Sequence, residues 1–448
     1  MARRMRKAWV IAVGMGYGHQ RAASALARFA FKGKIVNADS YPGIPALDKL
    51  LWKEIRMLYE IISRFKKVPV IGDLVFSLFI DQFQEIKEFY PRTQGIEPPT
   101  LQLRQIYGLL EKRNWGKHLI SVLNRNPLPL ITTFSVIAFM AEHWGYKGPI
   151  LLVETDSDVA RSWAPLHPAK SKILYCAPTD RVQERLKSYG VPLAKIFLTG
   201  FPLPERLLGK GWAIAKRNLS HRLSRLDPGR LYLAKYSDVA KRYLGAIPPL
   251  SKKPAPCRLT FAVGGAGAHK ELGAEILQGI VPLLERKEFE LTLVAGTRKE
   301  VAEYWKRTIA EQRLGKFLGR SMHITYAVTK AKAFEQFEET LEKTDILWTK
   351  PSELSFYAGL GIPIIIAPSI GSQEVQNRKW LLYVGAGLDQ LSPALCHQWL
   401  ADFVQKGIFA EAAMQGFVEV EKNGVENIAK LLSQTLNNHK QRGVIKVK

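Results

Sequence analysis

Apolar residues along the chain come in short runs, each closed by glycine or polar residues and followed by a helical pattern. Trp9-Val10-Ile11-Ala12-Val13 runs into Gly14-Met15-Gly16-Tyr17-Gly18-His19. Gln20 to Phe31 follows, rich in Ala, Leu and Arg and of good helix propensity. Strand, glycine turn and helix form the opening unit of a doubly wound α/β domain. A second short strand, Lys34 to Ala38, is predicted to end at Asp39, and the rhythm resumes at 129–133, 149–153 and 173–176. A second unit of the same kind starts at Leu259 to Val263, with Gly264-Gly265-Ala266-Gly267 as its turn and a helix from about Lys270. Further strands are predicted at 291–295, 323–327, 345–348 and 363–367. Two Rossmann-like halves facing one cleft are expected.

Two stretches break this rhythm. In residues 46–125, Leu47, Leu50, Leu51, Ile55, Leu58, Ile62 and Phe65 recur at helical spacing, bordered by Lys49, Lys53, Arg56, Arg64, Lys66 and Lys67. The nearly uncharged Val68 to Ile80 follows, interrupted by Pro69 and Gly72. This reads as a helical insertion in an N-terminal domain of residues 1–205. Residues 206–255 are strongly basic and end in Pro248-Pro249 and Pro254-Ala255-Pro256, the composition of a partly helical interdomain connection. Residues 256–448, closing with a C-terminal helix, complete a second domain. The 448 residues suffice for two cores.

Charge changes the picture more than composition does. The apolar share of 47% and charged share of 23% are ordinary, but the net charge is +25. Such an excess calls for an anionic partner: nucleic acid, a phosphate-bearing small molecule or an acidic membrane face. The basic residues are not interleaved with aromatics as in a nucleic-acid recognition module, which disfavours the first. Cys176, Cys257 and Cys396 are odd in number and far apart, so neither a zinc site nor a disulfide framework is expected. A reducing, cytoplasmic setting is the plain reading. No apolar run reaches the roughly 20 residues of a spanning helix. Met1 to Val13 imitates a signal peptide, but it leads into a glycine turn and reads as the first strand.

Neither glycine turn matches a dinucleotide fingerprint or a P-loop. Gly14, Gly16 and Gly18 are followed by His19 where GxGxxG requires Gly or Ala, and Lys270 is followed by Glu271 rather than Ser or Thr. Each turn also suits a tight connection where only glycine fits. His19 is the more telling residue, since imidazole at a helix start on the ligand side suits a general base. The macrodipole disfavours imidazolium there, which leaves the ring free to accept a proton. Asp345 to Leu354 and Ala367 to Asn377 place polar groups just beyond apolar strands, where open α/β sheets bind ligands. Backbone amides of Gly264, Gly265 and Gly267 suit a pyrophosphate. Glu353, Gln373 and Glu374 suit ribose and sugar hydroxyls, although any one carboxylate is more often a solvated cap.

Four segments taken in order resemble glycosyltransferase family 28 and its monogalactosyldiacylglycerol synthase relatives. They are Gly16-Tyr17-Gly18-His19 with Ala22 and Ala23; Glu154-Thr155-Asp156 with Trp163; Cys176 to Pro204, with Gly190-Val191-Pro192 and Thr199-Gly200-Phe201-Pro202; and Thr349-Lys350-Pro351 through Gly361-Ile362-Pro363 to Gln373-Glu374 and Asn377. The resemblance covers most of both domains, apart from 46–125 and 206–255. It implies a GT-B fold whose C-terminal half holds a nucleotide-sugar donor, a UDP-sugar by resemblance alone, with lipids among the acceptors that the resemblance suggests. It further implies inverting displacement without metal or cofactor, His19 or Asp156 as base, and a place on the inner face of a membrane. Gly16, Gly18, Lys350, Ser352 and Gly371 join the expected donor contacts. Ser352-Glu353 replaces the family's glycine pair in a loop about two residues shorter. Ala160 or Arg161 stands where the family has histidine. A nucleotide-sugar 2-epimerase or hydrolase on this fold, and a donor-binding protein without transfer activity, are the alternatives.

Overall fold

The computed structural model describes residues 7–65, 86–90, 95–246, 255–265 and 267–441. The chain forms two compact units. One comprises Met1–Leu203, Ile370–Gln376 and Glu421–Lys448, the other Pro204–Ser369 and Asn377–Val420.

The first unit is built on a six-stranded sheet of order β2-β1-β3-β4-β5-β6. Its strands are β1 (Trp9–Ala12), β2 (Val36–Asn37), β3 (Leu130–Thr132), β4 (Ile150–Val153), β5 (Ile173–Ala177) and β6 (Ile196–Leu198). All pairings are parallel. Parallel sheets are covered on both faces, and alternate residues sort accordingly. Ile11, Leu130, Leu152 and Tyr175 join one apolar cluster with Leu103, Leu119 and Phe139 from the helices Leu101–Arg113, Lys117–Asn124 and Ser135–His143. Val10, Ile131, Leu151, Val153 and Cys176 join the opposite cluster.

That opposite cluster contains a correction. The C-terminal helix, Gly424–Gln441, was expected with the second domain, yet its Val425, Ile428, Leu431 and Leu432 pack under the first sheet beside Ala23 and Leu26. The return is tight: any Cβ on Gly424 would lie 2.5 Å from the carbonyl carbon of Phe201. Asn427 Nδ2 donates to Thr199 O at 3.0 Å.

The first helix, α1 (Gly18–Ala25), is shorter than the predicted Gln20 to Phe31. The chain beyond it is claimed by Ala8, whose N–H donates to Phe29 O while its carbonyl accepts from Phe31 N–H, each at 2.8 Å. In the 46–125 region the second helix, α2, runs Ala46–Phe65. Its apolar stripe does not bury as one face: Leu51 and Trp52 are buried, whereas Leu47, Leu50 and Met57 are 40%, 50% and 48% exposed. The side chains of Leu58, Ile62 and Phe65, and the whole of Val68 to Ile80, lie outside the described residues.

The second unit has the six-stranded sheet β12-β11-β10-β7-β8-β9, again parallel throughout. Its strands are β7 (Cys257–Ala262), β8 (Phe289–Val294), β9 (Met322–Thr325), β10 (Ile346–Thr349), β11 (Ile364–Ile366) and β12 (Gly387–Asp389). Residues 206–255 are not a connection. They supply the helices Ala213–Leu226 and Leu231–Leu244, and Leu219, Leu223 and Leu226 are fully buried. Arg222 on the same face is 2% exposed. It donates to the carbonyls of Thr344 (2.9 Å), Leu360 (3.1 Å) and Gly361 (2.7 Å). Burial pushes its guanidinium down to about 10. Three otherwise orphaned carbonyls give this buried cation its place.

The packing of Gly424–Gln441 yields a test. Ile428 is fully buried, so Ile428→Ala is expected to cost about 2–5 kcal/mol. Hydrogen exchange should show the loss in peptides of β1 and β4 and leave β8 and β10 protected. Loss confined to the second unit would contradict this placement.

Candidate functional site

In a parallel sheet the loops that leave the carboxyl ends of the strands gather along one edge. In the first unit that edge is built by the turns after β1, β3 and β4. The turn after β1 holds Gly16 at φ +63°, a left-handed conformation natural to glycine. Gly18 is the first residue of α1 and His19 the second, so His19 lies within the first helical turn rather than before it.

Two threonines and two aromatic rings contact His19. Thr155 Oγ1 lies 3.3 Å from Nδ1, and Thr133 Oγ1 donates to the His19 carbonyl at 3.0 Å. The ring packs against Trp163, tilted at 5.7 Å, and against Phe134, T-shaped at 5.2 Å. Asp156 is half-buried one residue beyond Thr155. The threonine hydroxyl can pair with either tautomer of the ring, accepting from Nδ1–H or donating to a bare Nδ1.

Glu154 figured in the sequence only as the first residue of the Glu154-Thr155-Asp156 segment, with no role assigned to it. It is 1% exposed, and neither carboxyl oxygen has a hydrogen-bond partner among the described residues. Burial first, and the neighbouring Asp156 charge second, push its carboxyl well above the usual range. Directly after β4, Glu154 thus sits where its surroundings favour the protonated form. Arg161 is also buried and donates to the carbonyls of Glu97 (2.9 Å), Ala164 (2.9 Å) and Pro165 (3.2 Å). Its guanidinium braces this loop.

In the second unit three loops meet. Gly264 lies under Lys350, since any Cβ there would be 2.5 Å from Cε and 3.4 Å from Nζ. Gly265 O accepts from Arg298 Nε at 2.7 Å. Gly267, at φ +73°, donates to Gly264 O at 2.8 Å. His269 Nε2 lies 2.9 Å from Pro368 O, which ties this turn to the loop after β11. His269 and Arg298 escaped the sequence reading, although each flanks a strand-end turn. Ser352 precedes a 3-10 helix opened by Glu353, which is 7% exposed. Asn377, expected at the donor, is fully buried and donates to Pro351 O at 3.3 Å. It holds the Lys350-Pro351 turn from behind.

Gly371, Gln373 and Glu374 do not group with these residues. They belong to Ile370–Gln376 of the first unit, where Glu374 Oε2 accepts from Ile370 N at 2.7 Å and closes the start of the helix Ser372–Tyr383. Ser372 Oγ accepts from Ile86 N at 2.9 Å. The expected donor set is thus divided between the two units.

Residues 249–425 match a family described as Domain of unknown function (DUF6938). A processive diacylglycerol beta-glucosyltransferase of Staphylococcus saprophyticus is 21% identical over 326 residues, 71% of this chain and 69% of that protein. Among solved structures, MurG of Acinetobacter baumannii aligns with 95% of this chain and 99% of its own, at 12% identity and a TM-score of 0.47. A putative UDP-N-acetylglucosamine 2-epimerase from Listeria monocytogenes aligns over 98% of each chain, at 12% identity and a TM-score of 0.49.

Glu154 gives a signed pH effect. Its carboxyl keeps its proton to higher pH in the folded state than in the unfolded chain. Folding stability is therefore lost as pH rises from the ordinary glutamate range, about 4.3, through the folded-state pKa. Glu154→Gln removes that loss. The Tm difference, variant minus parent, should widen by at least ~2 °C between pH 4.5 and 8, the effect of about 1 kcal/mol in a domain of this size. A difference that stays flat across this range would show that folding does not raise the Glu154 pKa.

Proposed function

We propose that this protein transfers a sugar from a nucleotide-sugar donor, a UDP-sugar, to an acceptor hydroxyl by inverting displacement. The observation that carries the reading is the strand-end cradle of the second unit. There Lys350 lies over Gly264, and His269 ties the glycine turn to the loop after β11. A glycine turn and a lysine at the carboxyl edge of a parallel sheet fit a diphosphate. The sequence likeness to a glucosyltransferase supports the same reading.

The chemistry requires a base for the acceptor and a charge partner for the leaving group. His19 Nε2 takes the acceptor's proton as the acceptor oxygen bonds to the anomeric carbon and the bond to the diphosphate breaks. Thr155, in contact with Nδ1, orients the ring, and in the tautomer with the proton on Nδ1 the Nε2 atom is the acceptor. Asp156 is the other base within this loop. Lys350 and the amides of Gly264 and Gly265 neutralise charge on the departing UDP, while the Gly267 amide closes the turn onto Gly264 O. Ser352 and Glu353 stand as donor contacts, and Asn377 supports the loop.

The acceptor is assigned to the lipid class and its site of action to an anionic membrane surface. On α2, Leu47, Leu50 and Met57 are exposed, and so are Lys49 and Lys53. An apolar strip bordered by lysines suits the headgroup boundary of an acidic bilayer. Among the described residues no helix is long and apolar enough to cross a membrane.

Two experiments test these assignments. His19→Ala should lower turnover roughly 100-fold or more and keep UDP affinity, by calorimetry, within about twofold of the parent. Near-normal turnover, or a defect confined to donor binding, would pass the role to Asp156. Epimerisation of a UDP-sugar without any acceptor would replace the transferase reading altogether. In liposome flotation the protein should rise with vesicles containing acidic phospholipid, and Leu50→Glu/Met57→Glu should not. Equally negligible binding to acidic and neutral vesicles would end the membrane assignment.

A further inference from the structure

The turn that carries His19 is held at its other end by a group with no part in the proposed chemistry. Asp39 follows β2, the strand beside β1, and its side chain is 3% exposed. Its Oδ2 accepts from Gly14 N at 3.0 Å and also from the Arg56 guanidinium. Its Oδ1 accepts from Ser40 Oγ at 3.3 Å. Arg56 belongs to α2.

Gly14 itself is shaped for this contact. A Cβ there would collide with Asp39 Oδ2 and lie 3.2 Å from Arg56 Nη2. Only glycine lets the carboxylate come so close. The far side of the turn is tied as well, because Gln20 Nε2 donates to Val13 O at 2.9 Å. Both ends of the segment Val13–Gln20 are therefore anchored, one by Asp39 and one by the turn's own helix.

An acid after the second strand of a Rossmann unit ordinarily meets ribose hydroxyls. Here its acceptor positions are engaged by Gly14, Arg56 and Ser40. The acid has been turned inward, onto the turn.

We propose that Arg56 and Asp39 are positioning residues for the transfer reaction, holding the Gly14 amide and thereby fixing where His19 stands. This rests on the assignment of His19 above. The guanidinium is 40% exposed but its partner is buried. Loss of the cation leaves a desolvated carboxylate without its charge partner, and the acid and the turn then shift together. A displacement of about 1 Å at a reacting group is enough to lower a rate by two orders of magnitude. Lysine lacks the planar fork of arginine but retains the charge.

The test uses the full-length protein with Arg56→Met, Arg56→Lys and Asp39→Asn, each checked for an intact melting transition. In Arg56→Met and Asp39→Asn, amide exchange in the peptide spanning Val13–Gln20 should accelerate at least ~10-fold, with peptides of β4 and β5 unchanged. The kcat should fall on the order of 10- to 100-fold while the donor KM stays within about twofold, and Arg56→Lys should recover part of the loss. If Arg56→Met fails to fold, Arg56→Gln carries the same measurements. Unchanged exchange across Val13–Gln20 overturns the positioning contact, and so does exchange that rises uniformly over the unit. A parent without transfer activity on any acceptor sinks the reading beneath it instead, a result obtained without the variants.

Discussion

Parallel pairing throughout both sheets is the constraint from which the rest follows. A strand that must be re-entered from the same edge needs a crossover each time, so all carboxyl ends and the helix starts that follow them collect along one edge. That is why His19 and Thr155, 136 residues apart, come within 3.3 Å: β1 and β4 both flank β3. The same rule gathers Gly264, Lys350 and Pro368 in the second unit. Neither group of residues is local in sequence, and both are local in the sheet.

The positive charge divides into two kinds. Arg161 and Arg222 are spent on backbone carbonyls inside the units, and Arg185 and Arg225 on the carboxylates of Asp158 and Asp345. Buried cations of this sort contribute little net stability, yet removing one strands its partners and is costly. The lysines and arginines that could meet an anion are the others, including Lys49, Lys53 and Lys350. A net charge counts both kinds alike.

What the sequence disclosed depended on whether the signal was local. Strand, glycine turn and helix show themselves through short apolar runs and glycine, so both Rossmann-like units were legible. The basic stretch 206–255 misled because charge masked Leu219, Leu223 and Leu226, a stripe at helical spacing that buries one face. The destination of Gly424–Gln441 was hidden for another reason, since an amphipathic helix does not say which sheet it will cover. At the site, His19 stood out by its glycines. Glu154 and Asp39 did not, because the burial of a carboxylate depends on neighbours far away in the chain. Asn377 matched a motif, and its full burial became apparent only once the loop was folded around it.

The helix Gly424–Gln441 also sets an order of events during synthesis. A ribosome makes the strands of the first sheet early, but Val425, Ile428, Leu431 and Leu432, which cover one of its faces, emerge only after the whole second unit. The unit begun first is thus the one finished last. Until then the apolar side chains of Val10, Ile131 and Leu151 lack their cover, and such nascent surfaces are where chaperones bind and aggregation starts. The second unit has no such wait, because its segments are complete by Val420. Translation therefore leaves a window in which a mature C-terminal half is tethered to an N-terminal half with an open core.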